Sequence, residues 1–333
     1  MPRASSDRTQ TDARPRTELL RRAEAAYALR TVAPEQARTE ALAIIAEGVD
    51  DPVATVVAQR TLALALRHLV GPTPGAHVVR DAIRLATRHG LHKSAAEARV
   101  TYAAILADLG RIDAALVECD HAAEVLRGND AGPLFAQRAL ILSRAGRNEE
   151  ALSDYSRAFP LLRATRDTAF QALAYMNRAN VLTYVGRITA AEHDLRTGIA
   201  LAQAHEMRAV LAMLSANLGF VMTRKGNIPV ALRHFEDALQ GPQGYLLWGA
   251  VYDRAEALLG VGLANEARES LEAAIDNVAA AGFAVDIAEW HLILAHAALA
   301  DDDPASALSF PRTAFAEFRK QSRHRWAFLA QHL

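Results

Sequence analysis

Residues 179–191 read ANVLTYVGRITAA, and this stretch decides the fold. Ala179 precedes Gly186 by seven positions, and Ala191 follows it by five. The same arrangement recurs along the chain: a turn residue has a small residue five positions after it and, in most units, another seven before it. A period of this length indicates a repeat of one helix pair per unit. The turn residues are Gly71, Gly110, Gly146, Gly186, Gly226, Gly262 and Asp302, at steps of 39, 36, 40, 40, 36 and 40 residues.

The repeat has a simple physical interpretation. A glycine after a helix can take the left-handed conformation that ends it, and a polar residue then begins the next helix. The small residues let two antiparallel helices approach closely, because larger side chains would overfill the contact. One pair cannot bury its own apolar stripe, so neighbouring pairs must stack. We therefore predict an all-α fold, a right-handed α-solenoid of stacked antiparallel helix pairs.

The repeat also sets the expected domain organisation. Residues 18–333 should form the solenoid, with about seven to eight helix pairs. A last amphipathic helix is expected at 305–332, where it caps the array or docks elsewhere. Residues 1–17 are polar and have no apolar period, so we expect a disordered tail. Three arginines that each precede a small residue are expected to form a polar row between repeats: Arg138, Arg178 and Arg254.

The composition excludes several classes of protein. The chain has 37 Lys and Arg against 38 Asp and Glu, a net charge of −1 that does not suit a nucleic-acid binder. No apolar window is long enough to span a membrane, and the first residues lack the apolar segment of a secretory signal. The single cysteine, Cys119, excludes an internal disulfide framework. We expect a cytoplasmic protein that binds neither nucleic acid nor membranes.

The sequence predicts no catalytic residue, no metal site and no cofactor. Cys119 has His121 only two positions away, which on a helix points elsewhere. Cys119 also fills a core position of the repeat, the one that Tyr155 and Leu195 fill in later units. The remaining candidates lack the spacing of a metal site: His89 and His92, His291 and His296, and the run Asp301–Asp303.

The pattern resembles the tetratricopeptide repeat. It is clearest in residues 179–191 and in residues 217–235, where Asn217-Leu218-Gly219-Phe220 leads to Gly226, Ala231 and Phe235. The resemblance covers about residues 19–320 and is strongest in five units between Arg99 and Ala280. Two features depart from the family. The units are longer than the usual length of about 34 residues, and the proline that closes a usual unit is mostly absent.

The resemblance implies a non-enzymatic scaffold whose first helices line a groove for a protein or peptide segment. Asparagine both donates and accepts, so it suits a peptide backbone, while aromatic rings offer anchors and arginine can pair an acidic group. A structural alternative stays open, in which the asparagines satisfy neighbouring helix groups and the aromatic rings are packing. Carried over residue by residue, the groove candidates are Arg144, Asn177, Asn180, Tyr184, Asn217, Phe220, Arg224, Tyr252 and Glu256.

A narrower resemblance concerns the end of the chain. Long alanine- and arginine-rich repeats that end at residues 314–321, followed by Trp326, look like the N-terminal repeat arm of actinobacterial CHAT-domain proteins. Those proteins carry a caspase-like cysteine peptidase domain after the repeats. This resemblance implies an alternative role, a regulatory or substrate-recruiting arm with a CHAT-type protease partner. Another alternative is a peptide-responsive signalling receptor whose superhelical pitch changes on binding.

Overall fold

The computed structural model describes residues 17–333 except Val49, Arg166, 240–247 and 281–283, and the regular elements of this part are all helical. The predicted tail lies outside the described residues apart from Thr17, which caps the first helix by accepting a hydrogen bond from Leu20 N. The helices are α1 (Glu18–Leu29), α2 (Pro34–Glu47), α3 (Pro52–Leu69), α4 (Pro72–Arg88), α5 (His92–Asp108), α6 (Ile112–Ala123), α7 (Ala131–Arg144), α8 (Asn148–Leu162), α9 (Thr168–Tyr184), α10 (Ile188–Ala204), α11 (Arg208–Arg224), α12 (Ile228–Leu239), α13 (Trp248–Leu259), α14 (Ala264–Ala280), α15 (Ala284–Ala300), α16 (Pro304–Lys320) and α17 (His324–Gln331).

The described helices form eight successive pairs, from α1–α2 to α15–α16, and α17 packs on the last pair. Each pair packs on the next, and from α1 to α15 each odd-numbered helix also packs on the following odd-numbered helix. In the described part of the chain, no two even-numbered helices pack closely on each other. The array therefore curves towards the odd-numbered helices, which together form its inner face.

The turns between paired helices have the predicted conformation. Gly186 has φ +79°, and its N–H donates to Thr183 O at 3.0 Å while Arg187 N donates to Leu182 O at 2.7 Å. This pair of bonds satisfies helix-end carbonyls and requires a left-handed residue between them. In the last pair Asp302 occupies the equivalent place with φ +55°, as its position in the repeat indicates.

The small residues lie at the helix contacts, which confirms the register. Five of the six alanines that follow a turn glycine by five positions are fully buried: Ala115, Ala151, Ala191, Ala231 and Ala267. In the earliest of these units Ala76 is only half-buried, and its neighbour Gly75 is buried instead. Gly219 replaces the alanine seven positions before Gly226, and a Cβ atom there would lie 2.7 Å from the ring of Phe235. A side chain of any size at Gly219 would therefore push α11 away from α12.

The predicted row of arginines pairs mainly within units rather than between them. Arg138 binds both carboxylate oxygens of Asp154, and Arg178 binds both of Asp194 at 2.6 Å. Both arginines lie on an inner helix and both acids on its own partner helix, sixteen residues later. Two-pronged binding suits the planar guanidinium. Contact with the preceding unit comes from a longer ion pair, Arg138 with Asp120 at 3.6 Å, and from stacking of Arg178 4.0 Å from the centre of the Phe159 ring.

The array curves until distant units touch. Arg30, in the turn after α1, donates to Asp167 at the start of α9 over 2.5 Å, although the two residues are 137 positions apart. At the other end, the Ser322 hydroxyl donates to Asp113 and the Gln321 side chain lies against Gly110. The first unit therefore contacts the fifth, and the end of the eighth contacts the third. These contacts close the superhelix around its inner face.

The last segment differs from the single helix expected at 305–332. The structure has two helices, α16 and α17, with a left-handed turn at Ser322, whose φ is +56°. This turn places Arg323, which is 1% exposed, where its Nε donates to Arg144 O at 2.7 Å and its Nη2 donates to Glu289. Non-glycine residues pay about 1–2 kcal/mol for such a conformation. The contacts of Arg323 offset this, and they are invisible in the local sequence.

We predict that Ala191→Arg lowers the free energy of unfolding by at least about 3 kcal/mol, because it forces a long charged side chain between α9 and α10. Ala190→Arg is the matched control, since Ala190 is exposed one position earlier on the same helix. Thermal melting followed by circular dichroism compares the two variants with wild type. A melting curve for Ala191→Arg that overlays the wild-type curve would contradict the observed packing.

Candidate functional site

The inner face lines an open-sided cavity of about 580 Å³, mainly between α1, α3, α5, α7 and α9. This volume lies within the range of ligand-binding pockets, about 300–1,000 Å³. Part of the wall is apolar, and the rest carries charged side chains that pair with each other. The apolar wall includes Leu64, Val100, Leu140, Phe170 and Leu173.

The cavity wall contains a buried carboxylate held between two arginines. Asp108, which is 1% exposed, accepts hydrogen bonds from Arg67 and from Arg144, the latter at 2.7 Å. Burial alone would raise the pKa of Asp108, but the two guanidinium groups lower it below its ordinary value. The three side chains join α3, α5 and α7, so they fix the spacing of the inner helices across the cavity wall.

A second charged cluster joins the first and fifth units. The Tyr27 ring lies between two guanidinium groups, with Arg30 at 4.0 Å and Arg60 at 4.9 Å from its centroid. Arg30 reaches across the cavity to Asp167, and Arg60 pairs with Glu97. The cations of this cluster are thus held by acids and by an aromatic face. The cavity is closed on this side by contacts between units that are far apart in the sequence.

Two of the predicted groove residues line this cavity, Arg144 and Asn177. Arg144 is already paired with Asp108, so it acts first as a structural group. The Asn177 side chain is half-buried and hydrogen-bonds to no residue that the structure describes. Gln137, on the neighbouring helix α7, also lines the cavity with an amide that has no such partner. Two amides therefore remain free to meet a ligand.

The other two predicted asparagines have different surroundings. Asn217 donates from Nδ2 to Met213 O at 2.8 Å, four residues earlier in its own helix. The Oδ1 atom of Asn180 is buried and accepts no hydrogen bond from the described residues. Asn217 therefore fits the structural alternative that the sequence left open, whereas Asn180 has an unmatched acceptor beside the inner face.

The remaining predicted residues form a separate group on α9, α11 and α13. The ring of Tyr184 lies 5.3 Å from that of Phe220. Arg224 lies 5.3 Å from the Phe220 ring and donates to Glu256 at 2.7 Å. We call this set the aromatic–acidic group; it comprises Tyr184, Phe220, Arg224, Tyr252, Asp253 and Glu256, with Glu289 from α15.

Asp253 is the unmatched member of the aromatic–acidic group. Its carboxylate makes no hydrogen bond or ion pair with any residue of the described ranges. Burial raises the pKa of Asp253 well above its ordinary value, and the charges of Glu256 and Glu289 raise it further. Arg224 opposes this effect only in part. The ionised form of Asp253 is therefore unfavourable in the folded protein.

The repeat pattern did not indicate the residues of the first units that line the cavity, such as Tyr27, Arg60 and Asp108. The repeat is weak before residue 99, so carrying the family pattern over selected no residue there. The signal that was present is the unusual number of charges on otherwise apolar helices. Their partners lie one or more units away, so sequence spacing could not pair them.

Cys119 and Asp303, which the sequence analysis considered as chemical candidates, have structural roles. Cys119 is buried, and burial raises its pKa to about 12, so the thiol is protonated and inaccessible at neutral pH. Asp303 caps α16 by accepting from Ser306 N at 3.2 Å. Within the described ranges, no three His, Cys, Asp or Glu side chains come together as a metal site. None of the helices described combines the length and apolar character that crossing a membrane requires.

No family model matches the chain, and no curated protein matches it in sequence. Solved structures share its fold. A chain of the APC/C hetero-tetramer Cut9-Hcn1 has a TM-score of 0.62 at 17% identity over 94% of this chain, which spans only 55% of that chain. A Rap protein complexed with Competence and Sporulation Factor has a TM-score of 0.62 at 14% identity, covering 95% of this chain and 96% of that one.

A third structure is the Rap conjugation gene regulator of the plasmid pLS20 in complex with the Phr* peptide. Its TM-score is 0.52 at 13% identity, and 94% of each chain is covered. At these identities the likeness shows the fold alone. The chain has the fold of tetratricopeptide repeat proteins, an all-α solenoid of stacked helix pairs, and the predicted fold class is confirmed.

We predict that Asp253→Asn raises the melting temperature at pH 8, and that the gain shrinks at pH 5. The carboxyl ionises near pH 4 in the unfolded chain and at higher pH in the folded protein. Between the two pKa values the folded state binds more protons, so wild-type stability falls as pH rises. Asp276→Asn, on the exposed face of α14, is the control and should change little. A lower melting temperature for Asp253→Asn at pH 8 would contradict this account.

Proposed function

We propose that this chain is a non-enzymatic scaffold that binds an extended peptide or protein segment in its inner cavity. The observation that carries the proposal is the open-sided cavity of about 580 Å³, whose wall includes the contact of Arg30 in the first unit with Asp167 in the fifth. Its wall combines apolar anchors with two unpaired amides, those of Gln137 and Asn177. Each amide can both donate and accept, which suits the alternating donors and acceptors of an extended main chain.

The paired charges of the wall make the cavity rigid before a ligand arrives. Asp108 is fixed between two arginines, and Tyr27 between two others. Burial also lowers the pKa of His68 to about 3, so this imidazole in the wall is uncharged at neutral pH. A preorganised wall loses little conformational entropy on binding. This favours recognition of a segment that is disordered until it binds.

The comparisons support the proposal by analogy of fold. Two of the solved structures are Rap proteins in complex with Competence and Sporulation Factor and with the Phr* peptide. Cut9 belongs to a protein assembly, the APC/C hetero-tetramer Cut9-Hcn1. Each of these statements concerns those proteins. For this chain, these similarities of fold support a role in binding, and they do not identify the ligand.

A signalling receptor is the second candidate, and the closed superhelix favours it. The contact between units one and five lies in the cavity wall, so a segment in the cavity would lie beside it, and units eight and three form a second such contact. A ligand that preferred one state would then shift the pitch of the whole array. The role of an arm in a CHAT-type protease system stays a prediction from the sequence resemblance.

Peptide display tests the scaffold proposal directly. A library of random heptapeptides is selected on the wild-type protein, and the Kd of each enriched peptide is measured by fluorescence polarisation. We predict that Gln137→Trp, which places a bulky ring in the cavity and narrows it, weakens binding at least about tenfold, or about 1.4 kcal/mol. Ser153→Trp, on the exposed face of α8, is the matched control and should bind as wild type does.

Two outcomes would contradict the proposal. Failure of the wild-type protein to enrich any peptide would remove the evidence that the cavity binds extended chains. Equal binding by wild type and Gln137→Trp would show that peptides bind elsewhere on the surface. Circular dichroism of each variant confirms that weaker binding does not come from unfolding.

A further inference from the structure

The aromatic–acidic group lies on the same helix faces as the cavity, two turns further along. Residues seven positions apart share a face of an α-helix and are about 10 Å apart along its axis. On each of three adjacent inner helices, one residue lines the cavity and the residue seven positions later belongs to the group. These pairs are Asn177 and Tyr184 on α9, Met213 and Phe220 on α11, and Gly249 and Glu256 on α13.

One aromatic member of the group, Tyr184, is exposed, whereas Phe220 is buried. Tyr184 is 45% exposed although it lies on an inner helix, and its ring is tilted by 55° against that of Phe220. The faces of such rings carry partial negative charge and attract cations. The group already holds one cation in this way, since Arg224 stacks on Phe220 while pairing with Glu256.

The acids of the group exceed the cations that hold them. Arg224 pairs with Glu256, and Arg323 pairs with Glu289. Asp253 has no partner among the residues that the structure describes. A carboxylate left unpaired in a partly buried place lowers the stability of the fold. The Asp253 carboxyl avoids this cost when it is protonated, and it would also avoid it if it ionised beside a cation that a ligand brings.

We propose that Asp253 and the exposed ring of Tyr184 bind a positively charged group of the peptide held in the cavity. This inference rests on the proposed function. The group is a lysine or arginine side chain or the N-terminal ammonium, because each combines positive charge with hydrogen-bond donors. Ring faces favour an organic cation over a metal ion, which needs several oxygen ligands at close range.

The geometry also sets the register of the peptide. The aromatic–acidic group lies about 10 Å beyond the cavity residues on each helix, and an extended chain covers this distance in about three residues. The cationic group therefore lies about three residues from the segment that occupies the cavity. Glu256 and Glu289 are already paired with Arg224 and Arg323, so Asp253 is the acid of the group that is left for the peptide.

The test selects peptides from two random heptapeptide libraries, one with free N-termini and one with acetylated N-termini. Selections run in parallel on wild type, Asp253→Asn and Asp276→Asn. The two variants have the same net charge, so a difference between them cannot come from bulk electrostatics. We expect wild type and Asp276→Asn to enrich lysine or arginine several-fold, and Asp253→Asn to lose this enrichment. Enrichment in the acetylated library assigns the site to a side chain.

A second supporting outcome is capture only from the library with free N-termini, abolished by Asp253→Asn, which assigns the site to the N-terminal ammonium. If wild type and Asp253→Asn enrich the same peptides, with no excess of cationic groups, the inference is overturned and the scaffold proposal stands. If wild type enriches nothing from either library, both fail. Melting curves show whether Asp253→Asn is folded, and the variant is expected to be at least as stable as wild type at pH 8.

Discussion

Close approach of paired helices at small side chains is the constraint on which the rest of the structure depends. Ala179 and Ala191 are fully buried between α9 and α10, and at Gly219 even a Cβ atom would meet the Phe235 ring. Because the inner helices also pack on each other, each unit is narrower on its inner side. Repetition of this wedge turns the array until the first unit meets the fifth.

Contacts between distant units of the superhelix give the inner face a cavity that could bind a ligand. An open solenoid presents a groove, whereas here Arg30 and Asp167 join units that are 137 residues apart and bound a cavity. The charges that line it would be unfavourable if unpaired, since removing one partner of a buried pair costs about 3–5 kcal/mol. The charge of Asp108 is compensated because its carboxylate is paired with Arg67 and Arg144. The carboxylate of Asp253 has no such partner among the described residues. That contrast is the physical basis for assigning Asp253 to a ligand.

The sequence predicts the repeated part of the structure well, because the same turn and the same close helix contact recur in each repeat. The left-handed turns at Gly186 and Asp302 and the buried alanines follow from spacing alone. The cavity was only partly predictable: Arg144 and Asn177 line it, but Tyr27, Arg60 and Asp108 lie where the repeat is weak. The split of the last helix at Ser322 could not be predicted, since it depends on Arg323 reaching a carbonyl 179 positions away.

Cross-linking across the closed superhelix tests the central claim most directly. Asp113 and Ser322 are in contact although 209 positions apart, and each is exposed enough to carry an introduced cysteine. Cys119 is buried and should stay unmodified. Asp113→Cys with Ser322→Cys, treated with a short bismaleimide, should give an intramolecular link between the two sites, located by mass spectrometry and absent from either single variant. A folded double variant that reacts at both cysteines but forms no link would show that the array is open in solution.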